Sequence, residues 1–381
     1  MHICFVNMPI EFYSPISGGA IATVIMQTAR ELLSRGHQVT VLTRVNADER
    51  YHVGEVVPID GKDRDDLHFL QRRWSSAMSK LRHWDWPYFG YYLRSFTEAL
   101  ARFVVPPDAV VLFNDLVSSK YVKRALPDTK VVVWLHNEWR TRNRIAETVQ
   151  STDAFVTCSD YIRDWTAKAH RIPAEAITTA HNGVDASEFH PRADFLESRA
   201  ELRVLFLGRI DPNKGPDIIA DAVATLRAEG RRVSLTVAGG LWFYGHGKEM
   251  ENQYFRELKA KMDKAEARYI GHVKRADVPE LCRQHDVVAV LSRSNEPFSL
   301  VALEAMASGC VVIASTRGGL PEACGGAGIP VDPDDFESVV TALRSLATDS
   351  QHLKREKQKC VARASLSPWS ACADKLEKVL T

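Results

Sequence analysis

Short apolar runs alternate with helix-length amphipathic segments along two stretches of the chain. The runs are rich in Val, Ile and Leu, and they lack the alternation of apolar and polar residues that marks a half-exposed strand. Uninterrupted apolar strands separated by helices indicate a parallel sheet with both faces covered. The first series covers residues 2–7, 38–43, 108–113, 130–135 and 153–158, and the second covers 202–208, 233–239, 267–271, 286–291 and 310–315.

The two series have similar size, and the polar stretch 186–201 separates them. We therefore predict an α/β protein with two Rossmann-like, doubly wound domains that face each other across a cleft. The closing segment 367–380 has Pro368 near its start and Trp369, Cys372, Leu376 and Leu380 at helical spacing. This pattern predicts an amphipathic helix that could dock on either domain.

Residues 64–105 break the alternation, because they are helix-like and unusually rich in Trp, Tyr, Phe, Arg and Lys. A basic aromatic surface can contact a lipid interface, a glycan or a nucleobase. A helical pair that packs over the sheet with its arginines in solvent explains the composition equally well.

Composition limits the classes of function. The 49 basic and 48 acidic side chains nearly cancel, so no global field favours nucleic acid or an anionic membrane. The seven cysteines contain no C-x-x-C pair and several sit in apolar runs, which favours buried thiols over disulfides or zinc ligands. The first residues read directly as a strand, and no run of eighteen apolar residues occurs, so we expect a cytoplasmic protein that does not span a membrane.

Two loops that follow predicted strands could bind an anion. Gly18 and Gly19 precede a helical run from about residue 20 to 35, so the backbone can approach a ligand and the helix start can face an anion. In the second series, the loop G-R-I-D-P-N-K-G carries Arg209 and Lys214. Two cations at a strand-to-helix loop suit a diphosphate, whereas solvated surface side chains are the simpler explanation for either one alone.

The segment E-P-F-S-L-V-A-L-E-A-M-A-S-G, residues 296–309, predicts a buried helix with Pro297 in its first turn and Gly309 after its end. It nevertheless carries Glu296 just before the helix and Glu304 inside it. A buried carboxylate costs several kcal/mol unless polar partners satisfy it, and ligand hydroxyls would serve. The amides at the helix start favour an anion. Acceptors for sugar hydroxyls beside donors for phosphate predict a nucleotide-sugar site.

These stretches resemble the retaining glycosyltransferases of family 4, which have the two-domain GT-B fold. The resemblance rests on the two glutamates followed by A-M-A-S-G-C-V-V-I-A-S, on G-R-I-D-P-N-K-G, on N-G-V-D (182–185) and on G-G-L-P-E (318–322), and it covers nearly the whole chain. It implies that the closing helix returns to the first domain. We therefore expect an acceptor-side domain of residues 1–185 with helix 366–381 and a donor-binding domain of residues 200–365.

The resemblance also implies roles for individual residues. Arg209 and Lys214 resemble the pair that holds the donor's diphosphate, Glu296 the residue that contacts the hydroxyls of the transferred sugar, and Glu304 the carboxylate that holds the ribose. His136, at the end of a predicted strand, resembles the histidine near the donor sugar, although Asn137 follows it where the family often has Asp. A histidine satisfied at the strand end is the alternative. The diphosphate would further meet the backbone of Gly18, Gly19, Phe298, Ser299 and Leu300.

The family mechanism implied is front-face transfer of a hexose-type sugar from a UDP-sugar, or second a GDP-sugar, to a hydroxyl acceptor. It requires no prosthetic group and no metal, and the acidic stretches 63–66 and 332–335 lie in turn-like sequence away from the predicted strands. A glycan, a lipid-linked acceptor or a small molecule could accept the sugar in polysaccharide biosynthesis, with residues 72–94 as a peripheral contact to the inner membrane face. A nucleotide-sugar epimerase, a phosphorylase and a non-catalytic nucleotide-sugar or glycan-binding protein are the alternatives.

Overall fold

A computed structural model gives the architecture of residues 1–8, 11–16, 19–44, 50–60, 67–82, 89–139, 145–241 and 253–381. The chain divides into two compact units. The first comprises Met1–His181 and Trp369–Thr381, and the second comprises Asn182–Pro368. Within the described ranges, no helix combines the length and apolar character that a membrane span requires.

Each unit is built on one parallel sheet. In the first unit the strand order is β3-β2-β1-β4-β5-β6-β7, and in the second it is β10-β9-β8-β11-β12-β13. The strands are β1 His2–Val6, β2 Gln38–Thr43, β3 Glu55–Pro58, β4 Ala109–Phe113, β5 Lys130–Leu135, β6 Ala154–Thr157, β7 Ile177–Thr179, β8 Leu202–Leu207, β9 Val233–Ala238, β10 Arg268–Tyr269, β11 Val287–Val290, β12 Val311–Ser315 and β13 Ile329–Val331.

Helices connect most of the successive parallel strands, as crossovers between such strands usually require. They are α1 Ala20–Ser34, α2 Phe69–Arg82, α3 Phe89–Leu100, α4 Ser119–Ala125, α5 Ile145–Gln150, α6 Asp160–His170, α7 Pro216–Ala228, α8 Gln253–Lys264, α9 Val278–Arg283, α10 Leu300–Ala307, α11 Leu320–Cys324, α12 Phe336–Thr348, α13 Ser350–Ser365 and α14 Trp369–Leu380. Helix α14 packs on α1 and β7 of the first unit, with Trp369, Cys372, Leu376 and Leu380 buried, as its spacing predicts.

All ten apolar runs form strands, which confirms the prediction of two doubly wound α/β sheets. Three strands were not predicted: β3, β7 and β13. Each lies at the edge of its sheet, is only three or four residues long and is partly exposed. An edge strand contacts the core on fewer sides, so it lacks the continuous apolar run that identifies a central strand.

The strand order of each sheet reverses at one point, between β1 and β4 in the first unit and between β8 and β11 in the second. The carboxyl ends of the strands beside such a switch point are the usual ligand position in open α/β sheets, because the connections leave in opposite directions there. The predicted Gly-Gly loop follows β1, and the loop with Arg209 and Lys214 follows β8. Both anion-binding predictions therefore fall at switch points.

All seven cysteines are free and buried, which confirms the prediction of buried thiols. Burial raises the pKa of the Cys310 and Cys372 thiols to about 12. These thiols therefore stay protonated and behave as small apolar side chains.

Candidate functional site

The carboxyl ends of the adjacent strands β8, β11 and β12 carry most of the predicted site residues of the second unit. Arg209 and Lys214 follow β8, and Glu296 follows β11. These strands are neighbours in the sheet, so the loops that leave them start side by side. The structure brings Lys214 and Glu296 into direct contact across 82 residues of sequence.

Glu296 is a nearly buried carboxylate with two partners on one oxygen. Its side chain is 10% exposed, and its Oε1 accepts hydrogen bonds from Lys214 Nζ and from Ser292 Oγ. Within the described ranges, neither a hydrogen bond nor an ion pair reaches Oε2. Glu296 therefore has a fixed orientation and keeps one oxygen available to accept a hydrogen bond from a ligand hydroxyl.

The G-G-L-P-E motif holds the backbone of Glu296. Gly318 pairs with Glu296 in an isolated bridge, and the Gly319 amide donates to the Glu296 carbonyl at 2.6 Å. Gly318 has φ +66°, and a Cβ at this position would lie 2.3 Å from the Glu296 carbonyl oxygen. Only glycine permits both this backbone conformation and this approach. The motif thus positions the carboxylate from a third strand end, that of β12.

The loop that carries the two predicted phosphate-binding cations is held from several sides. Asp211 starts a single 3-10 turn, Pro212–Lys214, and its Oδ1 accepts from the Asn213 amide at 2.8 Å. The Arg209 side chain lies 3.4 Å from the Asp211 carboxylate. From the β11 loop, the Arg293 guanidinium donates to the Pro212 carbonyl, and the Arg293 amide donates to the Asn213 carbonyl at 2.7 Å.

Arg293 also forms a two-point pair with Asp217 in the first turn of α7, with distances of 2.9 and 2.6 Å. Burial alone would favour the neutral acid, but the Arg293 pair keeps the pKa of Asp217 below its ordinary value. The ion pair is therefore present at neutral pH. It ties the β8 loop to the β11 loop, and thus Lys214 to Glu296.

Helix α10 begins three residues later than predicted. Pro297 does not lie in its first turn, because Ser299 is the N-cap and Leu300 the first helical residue. Ser299 has φ +100°, and its Oγ accepts from the Ala302 amide at 3.3 Å. A positive φ is strained for serine, and such strain is characteristic of functional sites. The amides of Phe298, Ser299 and Leu300 lie at this helix start, where an α-helix leaves its first N–H groups without intrahelical acceptors.

Glu304 is buried in the middle of α10, and its side chain is 4% exposed. Its Oε1 lies 2.6 Å from Arg275 Nη2. The polar partner that a buried carboxylate requires is therefore an arginine. Arg275 follows β10, at the start of a single 3-10 turn. Its guanidinium carbon also lies 4.9 Å from the centre of the Phe189 ring.

In the first unit, His136 follows β5 directly and is 6% exposed. Its amide donates to Asn114 Oδ1 at 2.6 Å, and its ring stacks on Phe113. Burial lowers the pKa of His136 to about 3, so the imidazole is neutral at pH 7. Nε2 is buried and has no hydrogen-bond partner within the described part of the chain.

At the start of α1, where the sequence predicts an anion near Gly19, a carboxylate of the protein itself contacts the helix. Glu11 is buried, and its Oε1 accepts from the Ala22 amide at 3.2 Å. A Cβ on Gly19 would lie 1.5 Å from this oxygen, so the approach needs glycine. Burial raises the pKa of Glu11 to about 7, against the opposing effect of the helix amides. Gly18 lies outside the described residues.

Several residues that complete these arrangements were not predicted. They are Ser292, Arg293, Arg275, Asn114 and Glu11, and they act as partners of predicted residues. One sequence signal was available: Ser292 and Asn114 directly follow predicted strands, and Arg293 comes next after Ser292, at the edge where ligands bind.

The acidic stretch 332–335 forms a turn, as predicted, but Asp332 directly follows β13, so the expectation that no strand lies beside it is wrong. The carboxylates of Asp332 and Asp334 both pair with Arg317. This exposed cluster thus balances a cation of the β12 loop. The stretch 63–66 falls outside the described ranges.

Two family models together match most of the chain. Residues 18–188 match the family model "Glycosyltransferase Family 4", and residues 191–364 match "Glycosyl transferases group 1". The chain is 31% identical over 326 residues to spore coat protein SA of Bacillus subtilis, covering 81% of this chain and 78% of the relative. It is 30% identical over 377 residues to D-inositol 3-phosphate glycosyltransferase of Saccharomonospora viridis, covering 89% of this chain and 83% of that protein.

Among solved structures, Anabaena Alr3699/HepE in complex with UDP-glucose superposes with a TM-score of 0.72 at 17% identity, covering 100% of this chain and 99% of that one. At this identity the superposition establishes the fold, which is GT-B.

Proposed function

This chain belongs to the family 4, group 1 glycosyltransferases, and on that basis we propose that it moves a hexose-type sugar from a nucleotide diphosphate donor to a hydroxyl acceptor with retention at the anomeric carbon. One observation in the second unit carries the proposal. Glu296 and Glu304 are buried, each is oriented through one oxygen by a cation, and within the described ranges each keeps its other oxygen available. Carboxylates arranged in this way suit the hydroxyl groups of a sugar and of a ribose.

In this proposal Glu296 accepts hydrogen bonds from hydroxyls of the transferred sugar, and Glu304 accepts them from the ribose. Arg209, Lys214 and the amides of Phe298, Ser299 and Leu300 bind the diphosphate. Lys214 touches Glu296, so one cation lies beside both the sugar and the phosphate that leaves it.

The proposed reaction needs no nucleophile from the protein. The bond between the anomeric carbon and the diphosphate oxygen breaks while the acceptor oxygen bonds to the same face of that carbon. The acceptor's proton passes to the leaving phosphate oxygen. Arg209 and Lys214 stabilise the charge that grows on the diphosphate, which is the main electrostatic contribution expected in such a site. Metal independence is part of the proposal, and undiminished turnover in EDTA tests it.

His136, with Glu11 and Gly19, is the contribution of the first unit to the proposal. A neutral imidazole with an open Nε2 can exchange a hydrogen bond with the donor sugar or the acceptor hydroxyl without carrying charge. Gly19, with Gly18, would approach the diphosphate. Because Glu11 already binds the start of α1, this approach would use the loop backbone and not the helix amides.

UDP-sugars are the first donor candidates, because the structurally similar Anabaena protein binds UDP-glucose. GDP-sugars are second. The relatives, which include a D-inositol 3-phosphate glycosyltransferase, support a hydroxyl acceptor but leave open a glycan, a lipid-linked acceptor or a small molecule.

Helix α2 favours an acceptor at a membrane surface. Leu70, Trp74 and Leu81 project from one face of the helix and are 62–76% exposed. Arg73 and Lys80 flank this face, whereas its inward positions include the serines 75 and 79. An apolar outer face with basic flanks is the pattern of a helix that lies in the headgroup region of an anionic bilayer. We therefore assign the peripheral membrane contact to α2, within the predicted 72–94 region and its preceding turn; residues 83–88 lie outside the described ranges.

Cosedimentation with vesicles of phosphatidylcholine and phosphatidylglycerol tests this contact. Binding should require the anionic lipid and should be lost in the triple variant Leu70→Ser, Trp74→Ser, Leu81→Ser. The double variant Val104→Ser, Val105→Ser removes two other exposed apolar side chains and should bind as the unaltered protein does. Equal binding by all three proteins would exclude α2 as the contact.

The activity is tested by a thermal-shift screen of nucleotide sugars, followed by assay of the stabilising donor against acceptor pools. Transfer predicts nucleoside diphosphate release that depends on an acceptor, and a product whose anomeric configuration by NMR equals that of the donor. Lys214→Ala and Glu296→Ala should lose turnover while remaining folded. Donor conversion without acceptor would indicate an epimerase, and dependence on inorganic phosphate a phosphorylase. Tight binding with no turnover for any acceptor would indicate a binding protein.

A further inference from the structure

Arg275, the partner of Glu304, has no assigned role in the proposed glycosyl transfer. Arg275 lies outside α10, in the turn after β10, yet its Nη2 reaches Glu304 Oε1 at 2.6 Å inside the unit. Both side chains are largely removed from solvent, with 22% and 4% exposed. Burial removes water from the Arg275 guanidinium, which costs free energy. The ion pair with Glu304 offsets this cost only if the two groups are well oriented.

Phe189 holds the guanidinium from a second side. Its ring is 1% exposed, and the guanidinium carbon of Arg275 lies 4.9 Å from the ring centre. A cation over an aromatic ring is attracted to its face, and the attraction grows when both are desolvated. Phe189 is itself held through its amide, which donates to the Asp185 carbonyl at 2.8 Å at the end of the N-G-V-D motif. The position of Arg275 is therefore fixed independently of Glu304.

Glu304 therefore has one carboxylate oxygen paired with Arg275 and a second oxygen, Oε2, that can accept a hydrogen bond from a ligand. Arg275 engages Oε1, and in the described part of the chain no group donates to Oε2. Because the guanidinium is fixed, it also fixes the direction in which Oε2 can accept a hydrogen bond. The Glu304 side chain is only 4% exposed, so a hydrogen bond from a ligand hydroxyl contributes more here than it would at an exposed carboxylate.

We propose that Arg275 is a positioning residue that makes the site selective for ribonucleotides over deoxyribonucleotides, by aiming the open oxygen of Glu304 at the ribose hydroxyls. The inference rests on the proposed function, because it takes Glu304 as the ribose ligand. Arg275 acts through Glu304 and needs no contact with the nucleotide. A site built to bond a hydroxyl discriminates strongly against a ligand that lacks it, because its buried acceptor is then left unpaired.

Titration calorimetry with UDP, GDP and ADP and with their 2′-deoxy and 3′-deoxy forms measures this selectivity. The unaltered protein should bind its preferred ribonucleoside diphosphate at least about tenfold more tightly than one of the deoxy forms. In Arg275→Ala the ratio should fall to within about threefold, mainly through weaker binding of the ribo form. Arg275→Lys should recover part of the ratio, because it restores the charge without the fixed fork.

Arg283→Ala is the matched control. Arg283 has similar exposure, 17%, and bonds Glu280 and the Glu188 carbonyl in the same unit, and within the described ranges no hydrogen bond or ion pair joins it to Glu304. Its loss should leave the ratio unchanged. Glu304→Gln should lower the ratio as Arg275→Ala does, and the double variant should show no further change, because both substitutions remove one interaction.

Two results would overturn the inference without touching the function. In one, Arg275→Ala weakens ribo and deoxy forms equally. In the other, it lowers the ratio as much in the Glu304→Gln background as alone, which would make the contact with Glu304 irrelevant. Failure of the unaltered protein to bind any of the three nucleoside diphosphates would contradict the proposed function itself.

Discussion

Both ends of the second sheet carry buried ion pairs, and the two ends differ in how completely the carboxylates are bonded. At the amino end, Asp286 precedes β11 and uses both oxygens: Arg203 donates to each of them at 2.9 and 3.0 Å, and Lys357 donates to one at 2.7 Å. At the carboxyl end, Glu296 and Glu304 each use only Oε1 within the described ranges.

The number of bonded oxygens distinguishes a carboxylate that stabilises the fold from one that can bind a ligand. A buried carboxylate with every acceptor bonded contributes to a unique packing and offers nothing to a ligand. One whose partners engage a single oxygen is oriented but incomplete, and a ligand hydroxyl can complete it. Burial and pairing alone would rank the three carboxylates as equivalent. The number of open acceptors distinguishes them, and it assigns function to the carboxyl end.

The largest expected effect is on turnover at the carboxyl end. Glu296→Gln should lower kcat by about 100- to 1000-fold, because it removes a charged acceptor beside the reacting sugar. Steady-state kinetics with the screened donor and acceptor, together with thermal melts, measure this. Glu280→Gln, at an exposed carboxylate of the same unit, should leave kcat unchanged. A Glu296→Gln protein that turns over normally would remove the functional role of the open carboxylate.

The amino end should show the opposite response. Asp286→Ala leaves the charges of Arg203 and Lys357 without their shared partner and should lower the free energy of unfolding by about 3–5 kcal/mol. The kcat of the folded protein should stay within about twofold of normal. Urea denaturation and kinetics on the same preparation test both parts. Asp334→Ala, at an exposed pair with Arg317, should cost no more than about 1 kcal/mol.

Acid should weaken the amino end selectively. Burial would raise the pKa of Asp286, but the Arg203 hydrogen bonds and the Lys357 charge hold it at about 2. Because the folded pKa lies below the unfolded value of about 3.9, this stability is present above pH 4 and is lost as the pH falls through 2. The loss should be on the order of 2 kcal/mol. Denaturation curves between pH 6 and 2.5 should show a shallower acid dependence in Asp286→Asn, and parallel curves would contradict the assignment.

The smallest expected effect comes from moving Glu296 without changing it. A Cβ at Gly318 would lie 2.3 Å from the Glu296 carbonyl oxygen, so Gly318→Ala should displace the carboxylate and lower kcat by about tenfold. Gly326→Ala is the control, because Gly326 has φ +82° with no atom within 4 Å of the added Cβ. It carries the same backbone strain, about 1 kcal/mol, without the clash. Equal kcat in the two variants would show that the Gly318 contact does not position the carboxylate.

The sequence predicts the fold best where burial produces a recognisable pattern of apolar residues along the chain. The central strands β1, β4, β5, β8 and β11 are covered on both faces, so they appear as apolar runs and both sheets could be predicted. The loop with Arg209 and Lys214 and the two glutamates could be found for the same reason, since they interrupt such patterns at strand ends. The edge strands β3, β7 and β13 could not, because short and half-exposed strands leave no run.

The partners of the site side chains could not be predicted from the sequence, for a different reason. Arg275 meets Glu304, and Asp286 meets Lys357, through tertiary contacts between elements whose separation in sequence follows no period. The sequence required a partner for Glu304 but could not say which residue supplies it. The strained φ of Ser299 is likewise set by the packing around α10 and leaves no local signal. Such contacts determine which carboxylate oxygens stay open.

Hydrogen exchange with the best-binding nucleoside diphosphate among UDP, GDP and ADP tests whether the open carboxylates of the second unit bind the nucleotide. We expect slower amide exchange in residues 208–215, 271–275 and 296–304 when the nucleotide is bound, with no local change around Asp286 and Lys357. The protection should disappear in Lys214→Ala at nucleotide concentrations that saturate the unaltered protein. Protection at the amino end, or bound nucleotide without protection of 296–304, would contradict the assignment of function to the open carboxylates.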